Sequence, residues 1–276
     1  DKGIKRMLGG ILKGKQLSLT GTTSGSKNIT VLDRNLGAIN TDCAQGDASG
    51  VYYQWGRKDP IGTTKYKPNN SFELDLAPLY DTNGRKYNDY MLASVSTMDE
   101  LIKASGQVVK AGNYGNSWIN AGSELVNAYR YLWGDLVGAK TIFDPCPAGY
   151  KVPSEPFLEH LDGDWTYTLA PNTEELSYNK RFMEAVYTDN KTGEVVRFPK
   201  AGYGRVNEAA NISLSFSTED NLGQNSVAGF LLASPLEVGR AYMDGYKVNA
   251  STKEGTLGME AVNSADYYPV RCIKIE

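Results

Sequence analysis

Three cysteines, one histidine and 32 acidic residues are the side chains with which this 276-residue chain could do covalent or metal chemistry. A structural zinc site takes about four Cys or His ligands at close spacing, and Cys43, Cys146, His160 and Cys272 are too far apart in the chain to form that pattern. Nucleophilic catalysis with a histidine base would have to use His160, and the G-x-S-x-G turn that presents a serine is missing. His160 follows Phe157-Leu158-Glu159 in what reads as a short helix, the setting of an exposed helical residue. The stretch "GGILKGKQ" (9–16) comes within one residue of a phosphate-binding loop, but Gln16 stands where a Ser or Thr must hold magnesium. From Gln16 onward "QLSLTG" alternates like a half-buried strand, whereas a phosphate loop must open a helix. "DTNG" at Asp81 and "LDGDW" at Asp162 alternate acidic and amide oxygens without completing a twelve-residue calcium loop, and turns explain such residues without a metal. Paired carboxylates for glycoside hydrolysis could be drawn from so many acidic residues that the sequence selects none. The expectation is a chain with no catalytic residue, no metal site and no cofactor.

The cysteines have a second use. Cys146 lies in "FDPCPAGYKVPS" (143–154), where Pro145, Pro147 and Pro153 exclude a helix or central strand and leave a rigid loop. Cys272 lies in "YYPVRCIKIE", whose apolar Val270, Cys272, Ile273 and Ile275 read as the terminal strand of a sheet. Pairing the two would tie loop to sheet edge; the alternative is two buried thiols. Cys43 in "NTDCAQGDASG" is left over, free or partnered to a segment outside this sequence.

The elements that must position these residues are mostly strands. Eighteen tyrosines, 29 glycines and recurrent turn signals describe strands and turns rather than a helical bundle. Asn83-Gly84 and Asp244-Gly245 carry hairpin signatures, and "YTDNKTGEVVRF" (187–198) reads as strand, turn, strand. Helices are predicted from Thr97, with Thr97 as N-cap and Glu100 completing a capping box, from Ser123 through "SELVNAYRYLWGDLV", and briefly through "EPFLEHL". The class is α+β, mostly antiparallel sheet with few helices and long loops. Residues 1–28 begin basic and apolar and end in a Gly/Ser/Thr-rich stretch, an N-terminal strand and linker that could be the remnant of an upstream domain; the main module is placed at 29–276. Residues 58–120 read as a long excursion of loops.

Composition excludes several partners. With a net charge of −3 and scattered cations the chain has no electrostatic footprint for nucleic acid. Apolar runs such as Val227 to Ala233 are too short to span a bilayer, so no membrane insertion by this segment is expected. In "GVYYQWGRKDP" (50–60), Tyr52, Tyr53 and Trp55 alternate with Gln54, which suits a strand with one core face or a ligand-stacking surface. Arg57 could pair with Asp59, and Asp33, Arg34 and Asn35 could form a buried polar network that fixes a loop.

Five motifs occur in an order that carries a resemblance: "VLDRNLGA" (31–38), "GVYYQWGRKDP" (50–60), "LWGDLVGAKTIFDPCPAGYKVPS" (132–154), "AGFLLAS" (228–234) and "YPVRCIKIE" (268–276). Together they resemble the Fibrobacter succinogenes major paralogous domain, found at the C-termini of fimbrillin-like surface proteins of gut bacteria. The resemblance implies an extracellular module of the bacterial cell surface with a C-type-lectin-like fold, in which a cysteine near the first helix bridges to the last strand, as Cys146 and Cys272 would. Gly149-Tyr150 departs from the Gly-Trp usual in relatives, and "LSFST" (214–218) from their "YWSS". The E-P-N or Q-P-D and W-N-D tripeptides of calcium-dependent sugar binding are absent, and "EPF" at Glu155 does not replace them. On such a scaffold recognition falls to the loops between core strands, here the polar stretches "GYGRVNEAAN" (202–211) and "STEDNLGQN" (217–225). The candidate ligand-binding residues are Tyr203, Arg205, Asn207, Glu219, Asp220 and Asn221, on one exposed face, with stacking, anchoring and hydrogen-bonding side chains suited to a glycan or protein ligand. The function expected is a non-enzymatic adhesin-like binding module, such as a fimbrial tip or accessory subunit. The alternatives are a structural pilus subunit joined to neighbouring subunits by β-strand pairing and a carbohydrate-active enzyme.

Overall fold

The computed structural model describes residues 14–22, 27–43, 48–58, 60–66, 72–75, 91–92, 96–103, 108–109, 117–119, 128, 131–134, 139–169, 182–201, 203–206, 212–215, 225–237, 239–249 and 251–275. Among them the strands are β1 (Gln16–Leu19), β2 (Ile29–Leu32), β3 (Val51–Gln54), β4 (Pro60–Tyr66), β5 (Phe72–Asp75), β6 (Met91–Leu92), β7 (Val108–Val109), β8 (Tyr150–Lys151), β9 (Gly163–Leu169), β10 (Phe182–Asp189), β11 (Val195–Pro199), β12 (Tyr203–Val206), β13 (Ile212–Ser215), β14 (Asn225–Glu237), β15 (Arg240–Asn249), β16 (Gly255–Asn263), β17 (Tyr267–Pro269) and β18 (Ile273–Lys274). They form sheets of order β1-β2-β18-β8, β11-β10-β9, β13-β12-β17-β3-β4-β5 and β14-β15-β16, all antiparallel, and a short parallel pair β6-β7. The helical elements with described bounds are α1 (Met98–Lys103) and a 3₁₀ turn at Leu158–His160, and Cys43, Ala128 and Tyr131 are also helical residues. None of these helices is long and apolar enough to cross a membrane.

The sheet β14-β15-β16 separates two apolar cores, and side-chain alternation along a strand explains how. Along β14, Leu231 and Ala233 enter one core while Ala228, Phe230 and Leu232 enter the other. A strand buried on both faces reads as a continuous apolar run, which is the physical content of "AGFLLAS". The first core gathers Trp55, Trp118 and Trp133, and each indole N–H donates to a backbone carbonyl, of Leu232 (2.9 Å), Trp55 (2.9 Å) and Arg57 (3.1 Å) respectively. The second gathers an aromatic cluster in which Trp165 stacks on Tyr246 at 5.4 Å and Phe157 and Phe198 flank Phe230.

Several sequence expectations are met. Residues 16–19 form a strand of alternating exposure whose Leu17 and Leu19 enter the second core, and β1 pairs with β2 across the boundary placed at Asn28. The capping box holds α1: the Glu100 N–H donates to Thr97 Oγ1 (3.1 Å) and the Thr97 N–H to Glu100 Oε2 (3.2 Å). β10 and β11 form the expected hairpin. Of the helix expected from Ser123, most lies outside the described residues; Ala128 is helical, as expected, whereas Leu132 and Trp133 are buried and not helical. Asn83-Gly84 and Asp81 also lie outside them.

Two readings are corrected. Asp244-Gly245 is not a hairpin turn, because β15 runs straight through it and pairs with β14 on one side and β16 on the other. Gly245 is in register with Gly229 and Gly258, and a Cβ on Gly229 would stand 2.4 Å from the Asp244 carbonyl oxygen, so the glycine serves close backbone approach rather than reversal. The terminal strand is not continuous either. β17 belongs to the six-stranded sheet and β18 to the four-stranded one, and the chain changes sheet over Val270–Cys272.

Candidate functional site

Tyr203 and Arg205 lie on a strand rather than in a loop. β12 pairs with β13, with Tyr203 opposite Ser215 and Arg205 opposite Ser213, and joins the six-stranded sheet through Gly204 opposite Tyr267 on β17. Asn207, Glu219, Asp220 and Asn221 lie outside the described residues. The ladder fixes where the chain leaves for them. The stretch holding Asn207 starts after Val206, paired with Ile212, and the one holding Glu219, Asp220 and Asn221 starts after Ser215, paired with Tyr203. These exits stand at opposite ends of a four-residue ladder, about 10 Å apart at the usual strand rise.

The strands next to this hairpin in the sheet carry buried polar groups. Tyr267 is fully buried, and burial, with Asp266 adding and Arg57 opposing, holds its phenol well above the usual tyrosine range. On β3, Gln54 Nε2 donates to the Ala265 carbonyl (2.8 Å) and its Oε1 accepts from Arg57 Nη1 (2.7 Å). All four residues of β3, and Trp55 and Arg57 after it, are buried, so both faces of the "YYQW" run are core and neither offers a stacking surface. The Tyr52 hydroxyl donates to the Ala201 carbonyl, tying β3 to the chain just before β12. Asp59 lies outside the described residues.

The proline loop is held from within. Cys146 and Cys272 are disulfide-bonded with Cα atoms 5.8 Å apart. The buried Asp144 carboxylate accepts the N–H groups of Cys146 (2.8 Å) and Val152 (2.9 Å) and the ammonium of Lys140 (2.7 Å), which also donates to the Cys146 carbonyl (2.6 Å). One carboxylate therefore shapes the loop around the bridge; burial outweighs these partners and raises its pKa. The network expected at residues 33–35 is present: Arg34 is bidentate to Asp33 and donates to the Ile39 carbonyl, while Asn35 Nδ2 donates to Ser49 O (3.1 Å).

The buried carboxylates of Asp189 and Glu184 are likewise engaged in holding backbone. Asp189 accepts N–H groups from Thr20 (2.6 Å), Thr192 (2.8 Å) and Lys191 (3.0 Å), which outweigh burial and bring its pKa down to about 2, and it anchors the end of β1 to the β10–β11 turn. Glu184 pairs with Arg197 and accepts the Cys43 N–H (3.2 Å). Cys43 is a free thiol directed at the Met183 carbonyl (3.5 Å), and burial, then Glu184, push its pKa well up, which disfavours the reactive thiolate. His160 sits exposed on the 3₁₀ turn beside Glu159. Among the described residues no group of three His, Cys, Asp or Glu side chains is placed to hold a metal ion.

Asp244, a strand residue despite its turn-like dipeptide, is the group with the clearest pH signature. Its Oδ2 accepts the N–H groups of Phe157 (2.8 Å) and Leu158 (3.1 Å), yet burial dominates and raises its pKa to about 6. The folded state therefore binds the proton more tightly than the unfolded chain, whose Asp titrates near 3.9. This stabilisation is full below about pH 4, is lost as pH rises through about 6, and amounts to about 2–3 kcal/mol. An Asn Oδ1 can accept both N–H groups without the charge. Asp244→Asn is expected to flatten the dependence of melting temperature on pH between 4 and 7 and to melt above the wild type at neutral pH. Parallel melting curves for the two proteins across that range would refute the assignment.

Comparison of the chain with family models, curated proteins and solved structures gives no match.

Proposed function

We propose that the chain is a non-enzymatic, extracellular module of the bacterial cell surface, C-type-lectin-like in architecture and adhesin-like in action, which presents loops from a disulfide-pinned β scaffold to a protein or glycan. The observation that carries this reading is the Cys146–Cys272 bridge. It joins the proline loop to the C-terminal segment, the connection expected from the motif resemblance, and such bridges persist in oxidising compartments. The fate of the buried acids points the same way. Asp144, Asp189 and Asp244 hold backbone N–H groups of loops and turns, so their carboxyl oxygens serve as acceptors that maintain shape. A module whose buried polar groups are used in this way suits recognition by loops on a rigid support.

The binding face is assigned to the β12–β13 hairpin and the stretches it leads into, with Tyr203, Arg205, Asn207, Glu219, Asp220 and Asn221 as contacts. A glycan and protein array is the direct test. A ligand found there is expected to lose about ten- to a hundredfold in affinity, the range of one or two anchor residues, on Tyr203→Ala with Arg205→Ala, with unchanged melting temperature. Undiminished binding by that variant would move the site elsewhere, and robust turnover of an ester, peptide or glycoside substrate would replace the reading with an enzymatic one.

A further inference from the structure

The edge strand β16 is nine residues long and pairs with β15 over its whole length without a bulge. Its hydrogen-bonding parity is set by the two ends of the ladder. Asn249 N–H donates to Glu254 O (2.9 Å) and Ser264 N–H to Gly239 O (3.0 Å), so the even-numbered residues face β15. Leu257, Met259 and Ala261 then turn their N–H and C=O groups outward. Among the described residues no strand lies on that side, and the outward N–H groups meet no partner. The strand carries no proline, and Met259 at its centre is 45% exposed. A long, regular, apolar edge of this kind is a template for another strand unless something blocks it.

What blocks it comes from the neighbouring strand. Lys247 on β15 reaches across β16 and donates from Nζ to the carbonyl of Met259 (3.2 Å), the central outward acceptor, and it is held there by an ion pair with Glu260. Both side chains are largely buried, so the ammonium is fixed rather than waving in solvent. We infer that Lys247, positioned by Glu260, is a gatekeeper that prevents the β16 edge from pairing with the same edge of a second copy of this chain. A second copy is the occupant the edge fits. An antiparallel pairing about a two-fold axis at Met259 sets Met259 against its counterpart and Leu257 against Ala261, a large side chain against a small one. It also sets Glu260 opposite Gly258, so no like charges oppose each other directly.

The test replaces the ion pair by neutral side chains of similar shape, Lys247→Met with Glu260→Gln, so that no unpaired charge remains. Molar mass is followed by light scattering over a wide concentration range. The wild type is expected to stay at 30.2 kDa throughout, and the double variant to move towards twice that mass as concentration rises. Amide exchange locates the contact: Leu257 and Ala261 exchange freely in the wild type and become protected in the dimer. Adding Ala261→Pro removes an outward N–H without touching the ladder to β15 and should restore the monomer. Should the double variant fail to fold, Lys247→Gln is read in the same way. A folded neutral variant that stays monomeric, a dimer whose Leu257 and Ala261 amides remain unprotected, or a wild type already paired through this edge would each overturn the proposal.

Discussion

Reduction of the Cys146–Cys272 bridge, or Cys146→Ser with Cys272→Ser, is expected to lower the melting temperature by about 10–15 °C. The bond joins residues 126 apart, and closing a loop of that length removes about 4–5 kcal/mol of unfolded-chain entropy in the chain-entropy account. For a domain of this size each kcal/mol moves the midpoint by about 2–4 °C. The native state has little to lose by the cross-link, since Asp144 already fixes the loop around Cys146 through the N–H groups of Cys146 and Val152. Denatured but unreduced protein should titrate a single thiol, that of Cys43. Three titratable thiols, or a melting temperature indifferent to reductant, would contradict the pairing.

How much of this can be read from the residues depends on whether the signal is local. Leu17 and Leu19 announce a strand because alternation is a property of neighbours, and Thr97 with Glu100 announce a helix start for the same reason. The proline loop and the terminal apolar residues can be matched because each is unusual in its own composition. Asp244-Gly245 misleads for a complementary reason. The dipeptide favours reversal only where the flanking strands need no other partner, and here β14 and β16 claim both sides of β15. The better guide is "AGFLLAS", an apolar run without alternation, which marks a strand buried on both faces and thus a central sheet. Polarity singles out the candidate binding residues, but polarity does not report pairing: Tyr203 and Arg205 fall on a strand. Gln54 and Arg57 are hidden by the opposite effect, since nothing adjacent to them reveals that their partners are buried backbone and amide groups.

Arg271 is the hardest residue to read and carries the second large effect. It is fully buried, and burial brings its pKa down to about 9, with nearby Asp33 opposing the fall, so the guanidinium is charged at neutral pH. Its hydrogen bonds go to neutral acceptors: Nε to Asn35 Oδ1 (3.0 Å), Nη1 to the Leu32 carbonyl (3.1 Å) and Nη2 to the Arg197 carbonyl (2.7 Å). These partners lie 236, 239 and 74 residues away in the chain, beyond the reach of any pattern in "YPVRCIKIE". The group also sits over the ring of Phe198 at 4.7 Å. Leu32 belongs to the first core and Phe198 to the second, so this one side chain fastens both cores at the point where the C-terminal segment changes sheet. Arg271→Ala is expected to cost about 3–5 kcal/mol, because it leaves three buried neutral acceptors without their donor, each at about 1–3 kcal/mol before the structure relaxes. Arg271→Lys should recover little of it. A lysine keeps the charge but cannot span three acceptors arranged around a planar fork, nor lie flat on an aromatic ring. A lysine variant within about 1 kcal/mol of the wild type would show that charge, not geometry, is what the site requires. Arg271 and Cys272 adjoin and secure the same junction, so their losses should not add. In a double-mutant cycle against the reduced chain, Arg271→Ala is expected to cost less than it does with the bridge intact, because part of what the guanidinium holds has already been released.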